Sequence, residues 1–178
     1  MQIAIAEYLI RSYIKEDKNS LLKYASNYNI SKYLRDSFPH PYSEKDADRW
    51  IIAALYQNPE LNFAIATNNE LIGGIGITQQ QDIYRYSAEI GYWLAEPFWG
   101  KGIATKSVKA MTEYVFNNFK INRLFAGVFE GNEASERVLG KAGYKLEGIS
   151  SKAVYKEDKF LDQKMYGIVN EQFDIKTE

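Results

Sequence analysis

Apolar and polar residues follow one another along this chain in short alternating runs and in three- and four-residue steps, which divides it into strands and amphipathic helices. Residues 8–14 suit a first strand, and Lys15-Glu16-Asp17 opens a helix with Leu21, Leu22 and Ala25 on one side. The stretch Ser37-Phe38-Pro39-His40-Pro41-Tyr42 cannot be regular helix, because two prolines restrict themselves and their predecessors, and it predicts a surface loop. Ser43 with Asp46 three residues later resembles a capping box, Asp standing where Glu or Gln is usual. It precedes a helix whose Ala47, Trp50, Ile51, Ala54 and Leu55 share a face and which ends before Pro59. Residues 61–67 and 70–77 read as a hairpin around Asn68-Asn69, a pair that tolerates positive backbone angles. Glycines in its second strand allow bending or close backbone contact, and residues 79–86 form a polar connection.

The middle of the chain organises the rest. Residues 89–94 suit a mostly buried strand that Pro97 stops, and Gly100 and Gly102 permit a tight turn. From Ile103 the apolar positions Val108, Met111, Val115 and Phe119 continue at helical spacing. Residues 122–129 are a further strand, Asn132 an N-cap for a helix that ends near Gly143, and residues 144–154 and 160–169 two last strands around a charged turn. The tail from Glu171 is expected to fray. This order predicts a mixed sheet with helices on both sides, an α+β domain spanning residues 1–178.

Composition narrows the chemistry. The 178 residues, 46% hydrophobic and 25% charged, suffice for one sizeable core, and a net charge of −1 leaves no electrostatic footprint for general nucleic-acid binding. No apolar run is long enough to span a bilayer and residues 1–7 lack the features of a signal peptide, so the cytoplasm is the expected compartment. Cysteine is absent and His40 is the sole histidine, which excludes disulfides, a thiol nucleophile and a multi-histidine metal site. No metal is expected. Direct transfer from an already activated donor, which needs positioning, a proton acceptor and oxyanion stabilisation, fits these absences. His40, between prolines, reads as an exposed turn residue, with acceptor binding as its functional alternative.

A glycine loop at a helix start can wrap several backbone N–H donors around a phosphate. No GxxxxGK[ST] string occurs, and Gly74-Ile75-Gly76 lacks a third glycine at Gln79, so neither a P-loop nor a dinucleotide fingerprint is present. Alone, Gly100-Lys101-Gly102 would mean only a tight turn. Three ordered blocks carry more. Trp99-Gly100-Lys101-Gly102-Ile103-Ala104-Thr105 resembles the pyrophosphate loop of the GNAT N-acetyltransferases, Q/R-x-x-G-x-G/A, with Gly102 and Ala104 matching and Trp99 departing from it. Glu89-Ile90-Gly91-Tyr92-Trp93 resembles the central strand of the branch that acetylates ribosomal-protein N-termini. The stretch from Asn132 to Tyr144 is similar to that branch's second cofactor segment, N-x-x-S-x-x-V-L-x-K-x-G-F/Y. The likeness runs from about Tyr8 to Val169.

The resemblance implies a GNAT-like fold, a mostly antiparallel sheet of about seven strands whose central pair, near residues 89–94 and 123–129, splays apart to admit the pantetheine arm. It implies acetyl-CoA as acyl donor, bound through Trp93, Leu94, Trp99, Gly100, Lys101, Gly102, Ile103, Ala104, Thr105, Asn132 and Ser135. Backbone N–H groups around Trp93 and Leu94 would hold the oxyanion. Glu89 is the candidate proton acceptor, its plain alternative being an edge charge or a buried pair. The tyrosine that serves many family members as general acid is replaced by Leu139, so Ser135, with Tyr144 and Tyr92 as substitutes, is assigned to the departing thiolate. Asn132 and Ser135 would equally be explained by helix capping. Phe38, Tyr42 and Trp50 fall on the acceptor side, where Trp50 could equally be core. The acceptor is expected to be a protein N-terminal amine, with a polyamine, an aminoglycoside or another small amine as the alternative. A homodimer is a compatible assembly, and an acyl-CoA-binding module that has lost transfer is the rival reading.

Overall fold

The computed structural model describes residues 1–174. Eight strands form one sheet in the order β1-β2-β3-β4-β5-β6-β8-β7: β1 Gln2–Ile5, β2 Tyr8–Arg11, β3 Asn62–Ala66, β4 Leu71–Gln79, β5 Ser87–Leu94, β6 Arg123–Phe129, β7 Lys145–Lys156 and β8 Lys159–Val169. The helices are α1 Asp17–Tyr24, α2 Tyr28–Ser31, α3 Glu44–Tyr56, α4 Ile103–Asn118 and α5 Glu133–Lys141. β1 is the strand beyond the expected seven. It folds back on β2 through Ala6, whose φ of 61° lies in the left-handed region, and pairs Gln2 with Arg11.

The chain forms two compact units, one of residues 1–76 and 92–107, the other of residues 77–91 and 108–178. In the first, β1, β2, β3 and β4 pair antiparallel in succession. Tyr13, Leu21, Ala25, Tyr42, Ala47, Ile51, Ala54, Ala64 and Leu71 make a buried cluster against which Leu22, Phe38 and Trp93 pack. Burying each large aliphatic side chain contributes about 1.5–3 kcal/mol. Tyr42, expected on the acceptor side, is 9% exposed and part of this cluster beside Tyr13. α3 opens on the anticipated capping box, Asp46 N–H donating to Ser43 Oγ at 3.3 Å and Ser43 N–H to Asp46 Oδ2 at 3.0 Å. Where β2 gives way to α1, Arg11 holds the buried Asp17 carboxylate in a fork of two 2.7 Å bonds, and Ile14 N–H adds a third at 3.0 Å. The β3–β4 turn does not use positive φ at Asn68 or Asn69. Thr67 Oγ1 instead accepts the N–H groups of Asn69 and Glu70, a side-chain-closed turn.

In the second unit, β5 and β6 run parallel, paired at Ser87↔Arg123, Ala88↔Leu124 and Glu89↔Phe125, where the pairing ends. β6 continues antiparallel with β8 from Arg123↔Val169 to Phe129↔Gln163, and β8 with β7. Val108, Met111, Val115, Ile121, Leu124, Leu139 and Tyr144 are buried. The β7–β8 turn is tighter than the charged stretch suggested, with Glu157 and Asp158 at φ 51° and 59°. The tail expected to fray keeps Phe173 packed on Tyr86, ring centroids 5.5 Å apart, and its remainder after residue 174 lies outside the described residues. No helix among the described residues is long and apolar enough to cross a membrane.

Candidate active site

The first unit carries the glycine loop. β5 ends at Leu94, and Pro97 sits in a 3₁₀ turn over Glu96–Phe98 that reverses the chain. Gly100 and Gly102 then take φ of 75° and 74°, a region that costs other residues energy. The helix bond of Lys106 N–H to Gly102 C=O, 3.1 Å, leaves the N–H groups of Ile103, Ala104 and Thr105 ahead of it without an acceptor in α4. A Cβ placed on Gly100 or Gly102 would meet no atom within 4 Å, so the loop borders open space. Three free helix-start donors, the positive end of the macrodipole and Lys101 beside them suit an anion, and a pyrophosphate fits this donor set.

The loop is fastened from several sides. Trp99, 44% exposed, donates its indole N–H to the Leu94 carbonyl at 2.7 Å. The side chain at the position that departs from the family pattern thus braces the turn. The Glu96 carboxylate accepts from Asn27 Nδ2 at 2.7 Å and from Asn29 Nδ2 at 3.3 Å, and these bonds, Asn27's first, hold its pKa below the ordinary value. Asn27 also caps α2. Phe98 stands edge-on to Tyr24 at 6.1 Å, with Lys101 Nζ over its ring at 5.2 Å.

The second unit holds the other candidates. Glu89 is half-buried on β5 at the last β5–β6 pair. After β6, Asn132 caps α5 by accepting the Ser135 N–H on its side-chain oxygen at 3.2 Å, so the capping reading holds for Asn132. Leu139 is fully buried, a core residue where the family's usual acid would stand. Tyr144 is 3% exposed and its hydroxyl lies 2.8 Å from Thr112 Oγ1, which itself donates to the Val108 carbonyl. Tyr144 is thus packed in the core of this unit with its hydroxyl beside that of Thr112. Next to Ser135, Glu136 receives Lys164 Nζ on both oxygens at 2.9 Å and the Tyr166 hydroxyl at 3.1 Å.

Around Trp93 in the first unit, Phe38 lies edge-on at 5.6 Å and also contacts Tyr42 at 5.2 Å. Trp50, 37% exposed, stands edge-on to Tyr13 at 6.0 Å. His40 is exposed, its ring 5.8 Å from that of Tyr28. Tyr13 was not singled out from the sequence. One unit thus assembles Trp93, Leu94 and residues 99–105, and the other Glu89, Asn132 and Ser135.

Comparison with known proteins places this fold and its glycine loop in a class of acyl-transfer proteins. Residues 8–145 match the family described as acetyltransferase (GNAT) domain, and the chain belongs to that family of acetyltransferases. It is 36% identical over 118 residues to the probable N-acetyltransferase YjcK of Bacillus subtilis, 65% of each chain. It is 30% identical over 104 residues to the ribosomal-protein-serine acetyltransferase of Escherichia coli, 58% of each. The match thus spans less than two thirds of either relative. Its fold is similar to that of RimL, a ribosomal L7/L12 α-N-protein acetyltransferase solved with coenzyme A, with a TM-score of 0.83 at 23% identity, covering 95% of this chain and 98% of that one.

Proposed function

We propose that this acetyltransferase moves the acetyl group of acetyl-CoA to a primary amine, foremost a protein N-terminal amine, by direct attack in a ternary complex. The observation that carries the reading is the loop at residues 99–105, where two left-handed glycines bordered by open space lead into a helix start whose first three N–H groups have no acceptor among the described residues. That loop holds the pyrophosphate, and acetyl-CoA supplies the activated thioester. The coenzyme A in the RimL structure and the acceptors in the names of the ribosomal-protein relatives support donor and acceptor class respectively.

The neutral amine nitrogen attacks the thioester carbonyl, the C–N bond forms, and the C–S bond breaks. Glu89 takes the proton of the amine, directly or through water, since an alkyl amine is mostly protonated near neutral pH and must lose that proton to react. Backbone N–H groups around Trp93 and Leu94 stabilise the oxyanion. The thiolate leaves with a hydrogen bond from the Ser135 hydroxyl and is protonated to free coenzyme A, with Tyr92 as the substitute donor. The test is a screen of N-terminal peptides and small amines with acetyl-CoA, monitoring free thiol. Peptide-dependent release supports the reading. Release with polyamines or aminoglycosides alone would shift the acceptor, and binding of acetyl-CoA without release under any acceptor would make the chain a binding module.

A further inference from the structure

Two polar groups of the first unit converge on one glycine. The Tyr13 hydroxyl and the Trp93 indole nitrogen each lie 2.7 Å from the point where a Cβ on Gly74 would stand, and hence within twice that distance of each other. Any side chain at position 74 would collide with both. Tyr13 is 3% exposed, and its hydroxyl is buried with no hydrogen-bond partner. The Trp50 indole approaches it without reaching hydrogen-bond geometry. No hydrogen bond joins the Trp93 indole N–H to a described residue.

A buried hydroxyl left unpaired is costly, and phenylalanine would fill the same volume without that cost. Here a second donor, the Trp93 indole N–H, packs against the same glycine, and an acceptor oxygen would answer both donors. Phe38, Tyr42 and Trp50 surround the pair with aromatic surface, which strengthens such bonds. Two donors side by side repel an ammonium group and attract an oxygen lone pair.

We infer that the Tyr13 hydroxyl and the Trp93 indole N–H recognise a carbonyl oxygen of the acyl acceptor, so that the preferred acceptors are amines with a carbonyl on the adjacent carbon. The first residue of a peptide has that arrangement and a simple alkylamine lacks it. The inference rests on the proposed amine acetylation. Trp93 is half-buried, and Trp50, which stands edge-on to Tyr13, is 37% exposed.

The experiment compares alaninamide with isopropylamine, which differ by a carboxamide in place of a methyl, for the wild-type chain and for Tyr13→Phe and Trp93→Phe. Thiol release at saturating acetyl-CoA gives the ratio of kcat/KM for the two amines, and referring each variant's ratio to the wild type cancels their different basicities. The wild type should favour alaninamide, and Tyr13→Phe should lower the ratio about tenfold. Its Tm should equal or exceed that of the wild type, because no paired group is lost. An unchanged ratio in Tyr13→Phe overturns the inference, and an unchanged ratio with a lowered Tm assigns the hydroxyl to an internal water. A wild type that acetylates isopropylamine but not alaninamide overturns carbonyl recognition alone. One that acetylates neither overturns the proposed function as well.

Discussion

Replacing Gly102 by valine separates backbone strain from loss of the anion site. At φ of 74° a β-branched residue costs about 1–2 kcal/mol, which lowers Tm by roughly 2–8 °C in a chain of this size. Nothing lies within 4 Å of the new Cβ, so no collision with the protein adds to that figure and the fold survives. The added methyl groups obstruct the close backbone approach that a phosphate needs at this loop. Each charge-assisted bond denied to a phosphate costs about 1.5–3 kcal/mol, so losing two weakens acetyl-CoA by roughly 10²–10⁴ in Kd. Calorimetric titration of the folded variant with acetyl-CoA reads the effect. Gly148→Ala, also in open space but without a positive φ, is the control expected to bind normally. Unchanged affinity in a folded Gly102→Val chain would refute the assignment of the loop. Lys101 and Lys106 should matter less, their contribution fading with added salt.

Trp99→Phe keeps the ring and removes the indole bond to Leu94, so Kd for acetyl-CoA should rise about three- to tenfold while KM for the acceptor stays put; an unchanged Kd would mean the bond does not organise the loop. Glu89→Gln should lower kcat/KM by roughly 10², with partial recovery at higher pH as free amine becomes available, and a wild-type pH–rate profile would remove Glu89 from the mechanism. Ser135→Ala should lower kcat without that recovery; the helix cap survives because Asn132 binds the backbone N–H, so full activity would shift suspicion to Tyr92. Lys164 holds the Glu136 carboxyl below its ordinary 4.5, and Glu136 holds the lysine above its ordinary 10.5. Their mutual stabilisation is therefore complete between those values, lost on the acid side as pH falls through the lowered carboxyl pKa and on the alkaline side as it rises through the raised lysine pKa. Lys164→Met should show a Tm deficit at pH 7 that shrinks as pH falls below 4.5 and through the lowered carboxyl pKa, and a deficit that stays constant throughout an acid titration would contradict this.

Features encoded within a few residues were legible in the sequence. The Ser43–Asp46 box, the Asn132 cap, the positive φ at Gly143 and the strand–turn–helix around Gly100 and Gly102 depend on local geometry and appear where expected. Misreadings came where a side chain or a distant strand decided the outcome. The Asn68-Asn69 turn is closed by Thr67, and β1 is too short to declare itself without its partner β2. Phe173, in a polar tail, is held by a ring from far earlier in the chain. At the site, the brace from Trp99 to Leu94 required knowing how the 3₁₀ turn folds back. The meeting of Tyr13, Gly74 and Trp93 required the sheet itself; the only trace in the sequence is paired glycines within an otherwise apolar strand.

Intact-mass analysis of a single turnover, with acetyl-CoA and an N-terminal peptide quenched while product forms, tests direct transfer most plainly. One acetyl group on the peptide's α-amine for each free thiol, and none on the chain at any time, is the predicted result. An acetylated chain that forms before the peptide and passes its acetyl group on would contradict direct attack.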